Sequence, residues 1–310
     1  MKTAYKIDYL AFTWQNTTFS NICAFFGIND NNYTTLSKSM QGYKSGILYK
    51  NMLILYDGKP NMGIHVDISA QGLHNIVNGC GYSYLQQNNN ITITRLDLAM
   101  DVKQMDLINT ISMDITLKNY KTRFKTYKIV KNYETYTNKV IGHTIYFGSR
   151  QSNVFIRIYN KGLEQKIAAD WTRIELEIKG KTANNTFKNN NLSDLPTLTR
   201  GILTNYLNFI NRASAKNISR CTLQPYWAKI LNDTQPLQIS PKQVQKTIPQ
   251  NVEWLKKQVA KTLVKISNAD IQANTNFIAQ IYNTGLNLQD ANTRKQIQDW
   301  LNSLKEQKNE

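Results

Sequence analysis

Three stretches of this chain alternate charged or polar residues with large apolar ones at a period of two, and that alternation limits what the chain can fold into. TRLDLAMD (94–101) sets Arg95, Asp97, Ala99 and Asp101 on one side of an extended strand, with Leu96, Leu98 and Met100 on the other. TRIELEIK (172–179) repeats the order Thr-Arg-apolar-acid-apolar, so Arg173, Glu175, Glu177 and Lys179 share a side. Between them, VFIRIYNK (154–161) places Arg157, Tyr159 and Lys161 at alternate positions, with Phe155 leading in and Ile156 and Ile158 turned toward a core. The pattern predicts a sheet with one apolar side and one side bearing arginines, a tyrosine and carboxylates.

Carboxylates repeated along central strands are costly to bury unless something positive compensates them. Two accounts fit the residues: ion pairs with Arg95 and Arg173, or a hard divalent cation of the Mg²⁺ or Mn²⁺ kind, which takes one or two carboxylates plus water and phosphate oxygens. The tyrosine between two cations is likewise open to two readings. Its strand side is solvated, or a phenol sits where cations would lower its pKa or bind a phosphate. In the second case the tyrosine attacks a phosphodiester, a metal polarises it and cations stabilise the developing charge.

The chain has 38 basic and 21 acidic residues, a formal charge of +17, which favours a polyanionic partner, nucleic acid ahead of an anionic membrane surface. The run KNYKTRFKTYKIVK (118–131) concentrates six cations without an acid around Tyr120, Phe124 and Tyr127. As a hairpin it would lie along DNA through phosphate contacts and base stacking; a solvated basic face is the plainer account. No stretch has the features of a signal peptide or the apolar length of a membrane span, so the expected location is the cytoplasm. The three cysteines, Cys23, Cys80 and Cys221, are far apart and read as buried thiols.

Other chemistries find no support. His65, His74 and His143 form no H-E-x-x-H or H-x-H pair, and there is no P-loop, no G-x-S-x-G and no papain-like cysteine motif. His65 and Asp67 share a strand face and read as ordinary surface or core residues that could touch the site.

The periodicities predict an α+β protein. A first strand in 2–14, a short helix in 17–27 ending at Gly27 and an antiparallel meander in 42–69 precede the strands described above. A helix is expected from about Leu73 to Tyr84, another at 106–115 and another at 198–212. Pro236, Pro241 and Pro249 mark residues 232–250 as a linker, dividing a domain over 1–231 from a helical domain over 251–310. In the latter, Trp254, Leu255, Val259, Leu263 and Ile266 form a stripe read as core.

The ordered set IDYLAFTW, GIHVDISAQG, TRLDLAMDV, TIYFGSRQSNVFIRIYNKG, TRIELEIKG and QNVEWLKKQVAKTL resembles the Rep_trans replication initiation factors over roughly residues 5–265. The most specific part is the Y-x-G-S-R-x-S run, with Ser149 and Arg150, followed by R-x-Y-x-K. The resemblance implies a curved, mainly antiparallel sheet carrying the site on its concave face, and a site-specific, metal-dependent DNA nicking and joining enzyme that initiates rolling-circle replication. It implies Tyr159 as nucleophile with Arg157 and Lys161 beside it, and Asp97, Asp101, Glu175 and Glu177 as acids of a Mg²⁺ or Mn²⁺ site, Asp97 and Glu175 ranked first. Lys118, Lys121, Arg123, Lys125, Lys128, Ser149 and Arg150 are the expected DNA contacts. The implied partners are origin DNA, a host helicase and a second copy of the chain, without a membrane. A non-catalytic DNA-binding regulator and a relaxase of an integrative conjugative element are the competing functions.

Overall fold

The computed structural model describes residues 2–29, 32–38, 40–69, 72–73, 81–103, 105–167, 169–240 and 247–306. They fall into two compact units, Met1–Pro241 and Lys242–Glu310.

The first unit opens with β1 (Lys2–Trp14) and α1 (Phe19–Phe26). Thr18 accepts a hydrogen bond from the Asn21 amide at the start of α1, and Gly27 ends it in the left-handed region at φ 62°, where a Cβ would be strained. The meander follows as β2 (Thr34–Thr35), β3 (Ser45–Tyr49), β4 (Met52–Tyr56) and β5 (Ile64–Ser69). The helix expected at 73–84 lies largely outside the described residues, as do His74 and Cys80; α2 is Gly81–Gln87. Then come β6 (Ile91–Lys103), α3 (Leu107–Thr116), β7 (Tyr120–Thr122), β8 (Tyr127–Tyr133), β9 (Val140–Phe147) and β10 (Val154–Asn160). The unit continues with α4 (Lys161–Glu164), β11 (Trp171–Lys179), α5 (Gly180–Asn189), α6 (Leu195–Tyr206), β12 (Leu207–Phe209) and α7 (Pro225–Leu231).

Ten strands make one open sheet in the order β2-β3-β4-β5-β1-β6-β11-β10-β9-β8, and every pairing is antiparallel. The fold is α+β, as expected. The centre is β1, β6 and β11, and their alternation has the anticipated consequence. Leu96, Leu98, Met100 and Val102 of β6 and Ile174, Leu176 and Ile178 of β11 are fully buried. Helices α3, α5 and α6 pack on these strands and contribute Ile111, Ile115, Phe187, Ile202 and Leu203 to the same core. Each such side chain contributes about 1.5–3 kcal/mol on burial, which is what pins the register and leaves the charged residues on the opposite face.

Residues 232–240, expected as linker, belong to the first unit: the Leu237 amide donates to the Gly201 carbonyl at 2.8 Å and Ile239 is 1% exposed. The second unit comprises α8 (Ile248–Gln258), α9 (Ala260–Ala273), α10 (Phe277–Asn287) and α11 (Ala291–Glu306), with a Thr247–Gln250 capping box starting α8. Its apolar stripe is not a buried core. Trp254 and Leu255 are exposed, and Val259, Leu263 and Ile266 are half-buried, because so few helices enclose little volume. Among the described residues, no helix is long and apolar enough to cross a membrane. Cys23 and Cys221 are half-buried rather than buried.

Candidate active site

The charged face is read across strands. On β11 and β6, Glu177 stands opposite Asp97, Arg173 opposite Asp101, Lys179 opposite Arg95 and Glu175 opposite Ala99. On β10, Arg157 lies opposite Glu175 and Tyr159 opposite Arg173. The sheet thus gathers onto one face residues that are 80 or more positions apart in sequence, Asp97 and Glu177 among them.

Tyr159 is buried on this face, at 6% exposure. Its Oη donates to Glu175 Oε1 at 2.6 Å. Arg157 binds the other oxygen of that carboxylate, through Nε at 2.9 Å and also through Nη2. Arg157 and Lys161 lie 5.0 and 5.6 Å from the centroid of the Tyr159 ring. The sequence suggested that these cations lower the tyrosine's pKa. In the folded protein, burial first, then the charge and hydrogen bond of Glu175, push it far up, and the opposing pull of Arg173 does not balance them. Arg157 is committed to Glu175, and Lys161 is paired with Glu164.

Lys161 also departs from the expected strand pattern. Strand β10 stops at Asn160, whose side chain accepts from the Leu163 amide at 2.8 Å and caps α4, and Lys161 is the first residue of that helix. The tight turn needs glycine next: a Cβ on Gly162 would sit 2.3 Å from the Ala169 carbonyl oxygen. Lys161 therefore reaches the tyrosine from a helix rather than along the strand.

The acids are paired as the ion-pair account anticipates. Arg95 holds Asp97 through two bonds of 2.8 and 2.6 Å and reaches Glu177 at 3.0 Å, and Lys179 binds Glu177 at 2.6 Å. Arg173 is bidentate to Asp101, at 2.7 and 2.8 Å, and touches Asp8 at 3.2 Å; Trp171 donates to Asp101 at 2.8 Å. Burial, against the pull of Arg95 and helped by Glu177 and Glu175, pushes Asp97 up to about 6. Asp101 is held low, because Arg173 and Trp171 outweigh its burial. Of the acids ranked first, Glu175 turns to the tyrosine, and the register gives Asp97 a different carboxylate neighbour, Glu177. Among the described residues, no three His, Cys, Asp or Glu side chains form a ready-made metal cluster. The donors still suit a hard cation: Asp97 and Glu177 offer only carboxylate oxygens, and a pair of carboxylates is what such an ion ordinarily takes from protein.

Several participants were passed over in the sequence. Asp8 sits at a β1 bulge, between the pairs Ile7–Leu98 and Tyr9–Asp97, and the bulge aims it at Arg173. Tyr9 hydrogen-bonds Asp67, and Arg95 lies 4.4 Å from its ring. His65, set aside as ordinary, contacts Asp67 at 3.4 Å through Nε2 and Thr13 at 3.1 Å through Nδ1. The signal available was the acid or tyrosine in IDYLAFTW and GIHVDIS, at the same period of two as the recognised strands. A cavity of about 630 Å³ opens over this face, lined by Lys6, Asp8, Arg95, Asp97, Arg157 and Arg173 among others. A smaller one of about 240 Å³ includes Tyr159 and shares Arg157 with it.

The basic run does not form the expected hairpin. Strand β7 pairs with β12, and β8 pairs with β9 at the sheet's edge. Tyr120, Phe124 and Tyr127 all lie within 6.4 Å of the Phe147 ring, Tyr120 and Phe124 half-buried and Tyr127 exposed, and Phe124 also packs on Tyr206. The cations Lys118, Lys121, Arg123, Lys125 and Lys128 remain exposed. Ser149 and Arg150 are exposed in the β9–β10 turn, where the Arg150 carbonyl accepts from Lys179 at 2.6 Å and its guanidinium lies 5.7 Å from the Phe155 ring.

Comparison with known proteins follows the same lines. A putative DNA relaxase, NicK, of Bacillus subtilis (strain 168) is 24% identical over 234 residues, 68% of this chain. The chain spans 65% of that relative's length. The structure of a rolling circle replication initiator protein from Geobacillus stearothermophilus matches with a TM-score of 0.67 at 27% identity, covering 77% of this chain and 99% of that one. The replication initiation factor model, Rep_trans, matches residues 91–282, which include β6, β10 and β11. With more than half its length so matched, the chain belongs to the Rep_trans family of replication initiation factors.

Proposed function

We propose that this protein initiates rolling-circle DNA replication by nicking one strand of an origin and later rejoining it, with Tyr159 as nucleophile. The observation that carries the reading is the 2.6 Å hydrogen bond from Tyr159 Oη to Glu175 Oε1, with Arg157 holding the other carboxylate oxygen. Glu175 is thereby a positioned proton acceptor. As Oη attacks phosphorus, its proton passes to Glu175, an O–P bond to tyrosine forms and the bond to the 3′ oxygen breaks. The 3′ oxygen leaves with the bonding pair and takes a proton from solvent water to become the hydroxyl that primes synthesis, and the 5′ phosphate stays on the tyrosine. Rejoining reverses each transfer, with Glu175 returning the proton.

Arg157 and Lys161 flank the ring and are the cations placed to meet a phosphate there. Mg²⁺ or Mn²⁺ would be held by Asp97 and Glu177 and would supply Lewis-acid polarisation of a phosphoryl oxygen. Asp101 has the different task of anchoring Arg173. The exposed cations Lys118, Lys121, Arg123, Lys125, Lys128 and Arg150 suit the phosphates of origin DNA.

The test is incubation with a supercoiled cognate replicon and Mg²⁺, followed by a search for DNA attached to a tyrosine peptide. Tyr159→Phe should bind the origin and form no adduct. An adduct that persists would move the assignment to Tyr146, which lies opposite Arg157 on β9. The likeness to a putative DNA relaxase supports a second setting for the same chemistry, transfer of a mobile element, in which the nicked site is a transfer origin.

A further inference from the structure

Asp97 and Glu177 stand directly opposite each other across β6 and β11, and like charges there repel. They are almost closed to solvent, at 5% and 8% exposure. Arg95 bridges them, with two bonds to Asp97 and one of 3.0 Å to Glu177. The arginine is the exposed member of the group, with its side chain 33% accessible, and it lines the open cavity. The guanidinium that bridges the acids already lies 4.4 Å from the Tyr9 ring, and the charge of Asp67 acts on it from β5, on the side away from Glu177's strand. The acids are fixed on central strands, whereas the cation is on a flexible stem facing solvent.

We infer that Arg95 is an internal substitute for the divalent cation: it and the metal compete for Asp97 and Glu177, and the metal is bound as Arg95 withdraws over Tyr9 toward Asp67. This rests on the metal reading given above. Without Arg95 or a metal, Asp97 would lose its cation and Glu177 would keep Lys179 alone, so the arginine holds the sheet face intact until the ion arrives. Occupancy by Arg95 weakens apparent metal affinity by the fraction of molecules in which it is in place. Anything that draws Arg95 off, a DNA phosphate included, tightens metal binding, and by linkage the metal makes Arg95 available to phosphate. Arg95 is accordingly a positioning residue.

The experiment is a titration of the DNA-free full chain with MnCl₂, free Mn²⁺ being read by electron paramagnetic resonance and thermal melting followed in parallel. Arg95→Ala should bind Mn²⁺ roughly tenfold or more tightly than wild type, within the 5–150-fold range usual for coupled sites. It should melt below wild type without metal and recover when Mn²⁺ is added. Arg95→Lys keeps a charge without the two-pronged geometry and should fall between; it carries the same test if the alanine variant does not fold. A thymidine oligonucleotide should tighten Mn²⁺ binding in wild type and leave Arg95→Ala unchanged. Equal or weaker Mn²⁺ binding by the variants overturns the exchange and leaves the metal reading standing. No Mn²⁺ uptake by any form, oligonucleotide present, overturns the metal reading and the exchange with it.

Discussion

Two tyrosines on the charged face each lie against a carboxylate, yet their surroundings differ. Tyr159 on β10 donates to Glu175, whose second oxygen is held by Arg157, and a cavity opens beside the pair. Tyr9 on β1 bonds to Asp67, whose neighbour is His65, and its ring is covered by Arg95. In both cases burial comes first, and the carboxylate next, in pushing the phenol up. What differs between the two tyrosine–carboxylate pairs is the number of cations beside the ring and how many carboxylates each of them serves. Tyr159 has two cations beside it, each paired with a single carboxylate, Arg157 with Glu175 and Lys161 with Glu164, whereas the one cation over Tyr9 bridges two, Asp97 and Glu177.

The most decisive way to break this contrast is to remove each hydroxyl. Tyr159→Phe should lower covalent adduct formation by roughly 10⁴-fold or more, with origin affinity unchanged, and Tyr9→Phe should retain adduct formation within about tenfold. The reverse result in a gel assay of protein-linked DNA would exchange the roles of the two tyrosines. Next comes the acceptor: Glu175→Gln should slow nicking by about 10²–10⁴-fold while still accepting the tyrosine's hydrogen bond, and Asp67→Asn should slow it far less. Single-turnover nicking rates decide between them.

Arg173 lies between the two tyrosines and bears on stability. It is 5% exposed and pairs with the half-buried Asp101 and Asp8, so Arg173→Ala leaves Asp101 with Trp171 alone and Asp8 with Lys6 and should cost about 1–3 kcal/mol in urea unfolding. A loss below 1 kcal/mol would mean the acids are solvated. The smallest expected effect comes from the apolar side of the sheet. His143 is 4% exposed and bonded to Ser112 at 3.0 Å, and burial, then Lys131, hold its pKa below 6.5. The unfolded chain then binds more protons between the lowered value and 6.5, so stability should rise with pH through that window and flatten above it. In His143→Gln this rise should disappear from the pH dependence of the melting temperature.

Much of the fold was legible because burial dictates it. The period of two in 94–101, 154–160 and 172–179 gave strands whose apolar sides meet α3, α5 and α6, and Gly27 ended α1 where its conformational freedom implied. The candidate site was legible as a set of residues, Arg95, Asp97, Arg157, Tyr159 and Glu175, and less so as a set of pairs. Which carboxylate serves which cation depends on cross-strand register, and register arises from long-range packing. Lys161 was misplaced because periodicity does not reveal that Asn160 caps a helix. The basic run was misread as a hairpin because Tyr120 and Phe124 look alike on a DNA-binding strand and on one packed against Phe147.

By itself, the sequence determined that a charged face exists, that it lies on a sheet and that Tyr159 stands among its cations. Side-chain alternation is a local property, and solvent sorts it without reference to distant residues. Only the tertiary structure decided that Tyr159 is hydrogen-bonded to Glu175 and that Asp97 and Glu177 share Arg95. Those choices follow from pairing β11 with β6 on one side and β10 on the other, which brings together groups that no local rule connects.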